Sequence, residues 1–589
     1  MAAILPLVDA IGRPLGGFHI PGNNSYLSQL TLWIAFLGGV MAARTREHLT
    51  LSTAELLREG RPRDLARLFS YTIAAAVVAV LAYASVGLVK ADREAGQTLP
   101  FPFVPKGIPE WWSECVMPVA LSLIALQFAF GASRRWSGRI AALAFVGAVF
   151  AVGHFAPALL VKAVWPIAIL ILAAALLGAP VFVAMGGLAL LLFFKDDVPV
   201  SAVSAEVYRL IASPTLPAIP LLTAAGYILA EGGASHRLVR FFRALFGSLP
   251  GGIAVMVAAV CAIFTTFTGG SGVTIIALGG LVYPMLRDDG YEEGFSLGLV
   301  TASGSLGLLF PPSLPVILYS VVAGVPADSL FIAGLLPGLL LIVLVAAWGI
   351  RAGKAKDRAG AVRPKFSWKE LGTSFWAAKW ELGLPVVVIV LFATGKASLV
   401  EAAAAACVYA IVVECFVMRD IHPVKELPAV LLKSAGLMGA VLLLLSIAMG
   451  LTSYLVDAMI PAQLLSWVQS SIHSPWVFLL VLNVLLLVLG SVLEIYSAIV
   501  IRAPLVAPMG AAFGIDPVHL GIIFLANLEL GFLFPPVGLN LFLASSRFKK
   551  PLPSLYRHVV PFLLILGVGV LLITYVPAMS VGVLKLLGK

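Results

Sequence analysis

The chain has 589 residues, 60% of them from the apolar AVILMFWYC set and only 12% charged, and its mean hydropathy is +1.03. A soluble globular domain averages about 45–50% apolar and about 25% charged residues, so an ordinary soluble enzyme, a coiled coil and a disordered chain are excluded. Much of the net charge of +10 sits in short loops between apolar blocks. That bias orients a membrane protein and is not a nucleic-acid footprint.

The apolar residues fall in about fourteen to sixteen blocks of roughly 16–25 residues, the length that spans a bilayer as a helix. Blocks such as VVVIVLFA (386–393) and LLVLNVLLLVLG (479–490) lack the alternation of a spanning sheet. The expectation is an all-α, multi-pass membrane protein. Cys115, Cys261, Cys407 and Cys415 all lie in apolar blocks and read as small hydrophobes, with neither disulfide nor zinc spacing. No cleavable signal peptide is visible at the start.

The first block runs from about Leu27 to Ala43, and a stretch with Arg44, Arg46, Arg58, Arg61, Arg63 and Arg67 follows it. The charge bias places that stretch inside. Further spans are expected at about 69–89, 114–131 and 140–160, with a Pro-rich, acid-containing loop over 90–112. Residues 164–194 are apolar but interrupted at Gly178-Ala179-Pro180, where proline removes a helix hydrogen bond. Two crossings there leave Arg237, Arg240, Arg243 and the seven Lys and Arg of 351–369 inside, whereas one kinked crossing inverts them all. Two crossings are therefore expected.

An internal repeat follows. GLLFPP (307–312) and GFLFPP (531–536) match at five of six positions at an offset of 224. The same offset pairs Gly290 with Gly514 and Pro284-Met285 with Pro508-Met509. Counting crossings gives the two halves opposite orientation, as in secondary transporters with a site at the repeat interface. The alternative is a pair of duplicated, purely structural bundles. The expected organisation is a small membrane domain over 1–135, a connecting helix over 136–163, a first repeat over 164–350, a cytoplasmic linker over 351–372 and a second repeat over 373–589.

Each half holds an interrupted apolar block, FTTFTGGSGVT (264–274) and GSVLEIYS (490–497), that reads as a re-entrant hairpin. Each then holds a longer block with a break in the middle, TASGSLGLLFPPS (301–313) and ANLELGFLFPPV (526–537). Unwound backbone at membrane depth is tolerated where it lines a cavity or is buried in protein. There its carbonyls can coordinate a cation, while half-helix N-termini attract an anion.

The polar residues of these segments are the candidate site. Gly269, Gly270, Ser271, Ser303, Gly304, Ser305, Glu494, Asn527, Glu529 and Gly531 are candidate cation ligands, because hydroxyls and carbonyls suit a hard monovalent ion such as sodium. Ser271, Arg502, Asn527 and Asn540 are candidate substrate contacts. The small residues could instead serve helix packing, and a Glu at this depth could be protonated and hydrogen-bonded in the bundle. Arg502 could grip an anion through its planar fork, pair with a Glu, or snorkel to the headgroups. His519 reads as a satisfied structural histidine. No HExxH, GxSxG or P-loop is present, so neither an ATP-driven engine nor a nucleophile–base pair is visible.

These residues resemble the membrane component of tripartite ATP-independent periplasmic (TRAP) transporters, with small and large subunits fused. The likeness is carried by AIPLLTAAGYILAEGG (218–233), SLPGGIAV (248–255), GYEEGFSLGLVTASGSLGLLFPPS (290–313), GIDPVHLGIIFLANLELGFLFPPVGLNLF (514–542) and, in the small-subunit part, LTLWIAFLGGVMAARTREHLTL (30–51). It covers roughly 164–580 for the large subunit and, more weakly, 20–135 for the small one. The resemblance implies an inverted-repeat elevator transporter of the bacterial inner membrane. It further implies sodium ions as coupling ions with no organic cofactor, and a small organic acid delivered by a periplasmic substrate-binding protein. Membrane lipids are the other expected partner, and nucleic acid is not one. Three departures from the family pattern stand out. LPLVDAIGRPLGG (5–17) begins where a first spanning helix of the small subunit is expected to have ended. Ser271-Gly272 is followed by VTIIA, without the Asp that many members carry. Glu494 stands where an Asp is common, and Arg502 where many members are apolar. The rival readings are a sodium- or proton-coupled carrier that needs no binding protein, a channel, and a membrane-embedded enzyme.

Overall fold

The computed structural model describes residues 2–12, 20, 22–45, 48, 60–101, 104–357, 366–393, 397–491, 495–535 and 538–586. In chain order the first helices are α1 (Ile4–Gly12), α2 (Asn23–Thr45) and α3 (Arg61–Ala95). Strands β1 (Thr98–Phe101) and β2 (Val104–Pro109) follow, then α4 (Trp111–Glu114), α5 (Val116–Gly131), α6 (Trp136–Phe155), α7 (Pro157–Lys162), α8 (Val164–Leu176), α9 (Val181–Lys195) and α10 (Ser201–Ile211). Next come α11 (Ala218–Glu231), α12 (Ala234–Phe246), α13 (Gly252–Thr268), α14 (Ser271–Asp288), α15 (Glu293–Ser303), α16 (Leu314–Ala323), α17 (Ala327–Asp357), α18 (Trp368–Ala393) and α19 (Leu399–Ile411), which runs into a π-helical turn over Val412–Val417. The remainder is α20 (Leu427–Asp457), α21 (Ile460–Ser471), α22 (Pro475–Gly490), α23 (Ile495–Ala512), α24 (Pro517–Gly531), α25 (Leu539–Phe548), α26 (Leu552–Tyr575), a short 3-10 turn and α27 (Val581–Leu586).

Ten of these segments are long and apolar enough to cross a membrane, and seven further apolar helices are shorter. The expected count of full-length blocks is thus too high among the described residues: several are cut in two by glycine, proline or clustered hydroxyls. The chain is a helical, multi-pass membrane protein. The exception to helix is at 90–112, read from sequence as a loop. There α3 continues to Ala95 and an antiparallel strand pair follows, with Thr98 opposite Pro109 and Leu99 opposite Ile108.

The chain divides into two compact units, residues 1–220 with 432–464, and residues 221–431 with 465–589. Each sequence repeat contributes to both. In the first unit α3 is the central strut, packed against α5, α6, α8, α9 and α10. Its buried face is built of small residues, Ala74, Ala75, Ala82, Ala84 and Ser85, which let neighbouring backbones approach closely. Gly38 on α2 and Gly439 on α20 do the same: a Cβ on Gly439 would run into the Gly38 backbone. The break expected at 178–180 separates α8 from α9. Gly178 takes φ +101°, Pro180 caps α9, and Val164, Ala168 and Ile171 of α8 share a core with Ala184 and Leu191 of α9.

In the second unit the 224-residue repeat is visible as geometry. At that offset α14 coincides end for end with α23, and Pro284 and Pro508 occupy equivalent places inside them. Gly290 (φ +82°) and Gly514 (φ +72°) make the same left-handed turn into α15 and α24, a conformation that glycine adopts without steric cost. The pairing is reciprocal. α14 packs on α25 and α23 packs on α16, so the second arm of each hairpin rests on the distal half-helix of the other repeat.

Candidate functional site

The first hairpin closes because α13 ends on Gly269 in the left-handed region (φ +66°), whose N–H bonds the Thr265 carbonyl at 2.9 Å. Gly270 then turns the chain into α14, with buried Ser271 as its first residue. A Cβ on Gly269 would collide with Leu314, so this tip sits against the N-terminus of α16. The first helix break spans 304–313 between α15 and α16. Its carbonyls are held by hairpin threonines: Thr265 Oγ1 lies 2.8 Å from the Gly304 oxygen and 2.7 Å from Thr274 Oγ1, and Thr266 donates to the Gly307 carbonyl at 3.2 Å.

The second repeat completes the cluster. Tyr496, in the first turn of α23, donates its hydroxyl proton to the Gly269 carbonyl at 3.1 Å. Asn540, near the start of α25, places its Nδ2 3.2 Å from the Thr301 carbonyl and 3.3 Å from Ser305 Oγ. The N–H of Gly538, just before α25, donates to the Ser491 carbonyl at 2.9 Å. The N-termini of α14, α16, α23 and α25 are therefore drawn to one region. A helix N-terminus carries a partial positive charge, so together the four favour an anion. Among the described residues, the same region holds four buried oxygens with no hydrogen-bond partner, Ser303 Oγ, Ser313 Oγ, Ser497 Oγ and Asn540 Oδ1. Oxygen donors without a proton partner suit a hard cation.

Of the residues expected from sequence, Gly269, Gly270, Ser271, Ser303, Gly304, Ser305 and Asn540 are brought together here. Others are placed elsewhere. Asn527 spends its amide on Asn483 Oδ1 and the Ile523 carbonyl, and Thr574 donates to the same Asn483 oxygen at 3.1 Å, forming a network among α22, α24 and α26. Gly531 is a packing residue, since a Cβ on it would lie 2.8 Å from Gly490 Cα. Glu529 is buried, with neither carboxyl oxygen hydrogen-bonded. Glu494 lies outside the described residues.

Arg502 is 6% exposed and donates from NH2 to the Leu489 carbonyl at 2.9 Å, capping the last turn of α22, while NH1 has no partner among the described residues. Among the described residues Arg502 therefore pairs with no Glu, Glu529 included, and it does not snorkel. Its guanidinium is held near the C-terminus of α22 by a backbone carbonyl and keeps one fork arm free. His519 is satisfied, with Nδ1 2.7 Å from Ser580 Oγ and Nε2 3.2 Å from the Thr574 carbonyl.

Sequence reasoning missed Tyr496, Ser497 and Ser313. The available signal was their place within the interrupted segments 490–497 and 301–313. It also missed a charged cluster away from this site. Arg237 on α12 is ion-paired with Glu381 on α18, Glu414 in the π-helical turn and Asp420 in the loop after it. Burial opposes ionisation of Asp420, but the Arg237 hydrogen bond and charge outweigh it and hold the carboxyl below the usual aspartate range.

Residues 168–579 match the family "Tripartite ATP-independent periplasmic transporter, DctM component", and residues 2–138 match "Tripartite ATP-independent periplasmic transporters, DctQ component". The chain is 36% identical over 405 residues to the C4-dicarboxylate TRAP transporter large permease protein DctM of Pseudomonas aeruginosa, covering 68% of this chain and 93% of that one. It is 30% identical over 551 residues to the isethionate TRAP transporter permease protein DctMQ of Oleidesulfovibrio alaskensis, covering 93% of this chain and 86% of that one. It is also 30% identical over 409 residues to the ectoine TRAP transporter large permease protein TeaC of Halomonas elongata, covering 69% and 95%. Among solved structures, the Alcanivorax borkumensis YdaH transporter aligns with 61% of this chain and 84% of its own, at 16% identity and a TM-score of 0.47.

Proposed function

Because the chain belongs to the tripartite ATP-independent periplasmic transporter permeases, with both membrane components fused in one polypeptide, we propose that it carries out sodium-coupled uptake of a small organic acid across the bacterial inner membrane. A separate periplasmic binding protein delivers the acid, and the two repeats give alternating access by an elevator motion. The relatives are named as permeases for C4-dicarboxylate, isethionate and ectoine. The observation that carries the reading is the meeting of four helix N-termini with four unpartnered buried oxygens. The N-termini attract the substrate's negative charge, and the oxygens, with the carbonyls of the helix break, suit sodium. Arg502, held at the Leu489 carbonyl and not among the gathered residues, is a second candidate contact for a carboxylate through its free fork arm.

One observation favours a second reading. Glu529 is buried with both oxygens unpartnered, and an ionised carboxylate there would be costly. A protonated Glu529 that exchanged its proton during the cycle would make the carrier proton-coupled. Uptake into proteoliposomes, with the cognate binding protein outside, separates the two. Sodium coupling requires uptake under an inward sodium gradient with no pH difference, whereas uptake driven by a proton gradient and indifferent to sodium supports the second reading.

A further inference from the structure

We propose that the pocket between the C-terminal turns of α12 and the start of α18 binds the phosphate-bearing headgroup of an anionic phospholipid. The pocket has a volume of about 350 Å³ and is lined by Arg240, Arg243, Ser248, Phe366, Ser367 and Glu370. α12 is amphipathic: Leu238, Val239 and Phe242 are buried, while Arg240 and Arg243 face outward. Such a helix lies along a membrane surface and does not cross it. Arg237, on its inner side, is tied to three carboxylates of α18, the π-helical turn and the following loop, so the helix is fixed in place.

The charges in the pocket are unequal. Glu370 takes two donors of Arg240, at 2.9 and 3.3 Å. Arg243 pairs with no carboxylate among the described residues, leaving one uncompensated cation beside the hydroxyls of Ser248 and Ser367. An arginine fork with neighbouring hydroxyls is the chemistry that recognises a phosphate.

The depth of the pocket points to a lipid as the source of that phosphate. α18 is itself a candidate span that starts at Trp368, beside the pocket. Trp368 (79% exposed), Phe375 (49%) and Trp376 (67%) line the outside of its first turns, and Lys379 Nζ lies 3.3 Å over the Trp376 ring. Exposed aromatics and a lysine at a span's end mark the headgroup level. The sequence adds a second source of attraction, because 351–365 carries six Lys and Arg just before this span. A basic cluster of that size beside a membrane helix draws anionic lipid.

The test uses the full-length, detergent-solubilised protein, delipidated and then offered phosphatidylglycerol or phosphatidylcholine, with retained lipid counted by native mass spectrometry. The Arg243 side chain is exposed and makes no hydrogen bond or ion pair among the described residues, so Arg243→Ala is expected to fold normally and to lose phosphatidylglycerol about fivefold, with a larger loss in the Arg240→Ala/Arg243→Ala double variant. Phosphatidylcholine adducts should be few and unchanged. Arg243→Lys should retain most of the binding, and Arg557→Ala, an exposed arginine elsewhere, should retain all of it. Undiminished phosphatidylglycerol in the double variant overturns the proposal, as does equal retention of the two lipids by the native chain. Complete displacement of phosphatidylglycerol by millimolar inorganic phosphate assigns the pocket to a free anion and overturns the lipid assignment.

Discussion

Asn540 in the second repeat places its Nδ2 3.3 Å from Ser305 Oγ in the helix break of the first. The two residues are 235 positions apart in the chain. This contact joins the distal half-helix of one repeat to the unwound backbone of the other. A change at either end should therefore register at both.

Ser305→Ala and Asn540→Ala should each weaken the apparent sodium affinity of uptake about tenfold, the size of one lost hydrogen bond or ligand. Expression should be little changed. Asn527→Ala gives the contrast: its amide is committed to Asn483, so melting temperature should fall while sodium dependence stays near that of the native protein. Sodium titration of proteoliposome uptake, paired with thermal melts in detergent, reads all three. A sodium affinity unmoved by Ser305→Ala and Asn540→Ala would remove the helix break from the ion site.

Arg502→Lys keeps the charge but loses the planar fork. Initial uptake should fall at least about tenfold while the protein still inserts and purifies, because a lysine can still reach a carbonyl near Leu489. Normal transport by this variant would leave Arg502 with its capping bond alone.

Arg237 has two partners, Glu381 and Glu414, whose side chains are fully buried. Removing one member of a buried ion pair costs about 3–5 kcal/mol, because it strands the opposite charge. Arg237→Ala should therefore be poorly expressed or strongly destabilised, and Arg237→Ala/Glu381→Gln/Glu414→Gln should recover part of the loss. The Asp420 carboxyl is held below its usual value, chiefly because the bond and charge of Arg237 outweigh its burial. Such a group contributes stability that is complete above its unfolded value of about 3.9 and is lost as pH falls through the lower folded value. The gap in melting temperature between the native chain and Asp420→Asn should accordingly be open at pH 7 and close below about pH 4.

The Lys and Arg of 351–369 should place the 351–372 linker in the cytoplasm and the C-terminus in the periplasm. With the four native cysteines replaced, an impermeant maleimide should label Leu587→Cys but not Gly360→Cys in intact cells. The reverse pattern would invert the assigned orientation.

Sequence alone determined the helical membrane class, because composition and block length are one-dimensional quantities that the bilayer reads directly. It also determined the repeat and the places where helices must stop. GLLFPP, GFLFPP and the Gly-Ser interruptions forbid continuous helix hydrogen bonding whatever surrounds them. What it could not decide is which side chains meet. Ser305 and Asn540 converge, Asn527 turns to Asn483, and Arg502 caps Leu489 in place of pairing with Glu529. These outcomes depend on the rotation of each helix about its axis and on the exchange of partners between repeats, which no local spacing encodes. Arg237 shows the same limit. In the sequence it is one of three basic residues marking the inner side, and only packing of α12 against α18 and the π-helical turn draws three carboxylates onto it. Spacing fixes where a helix can break, but charge pairing and ion geometry are fixed only when distant segments are forced into one low-dielectric place.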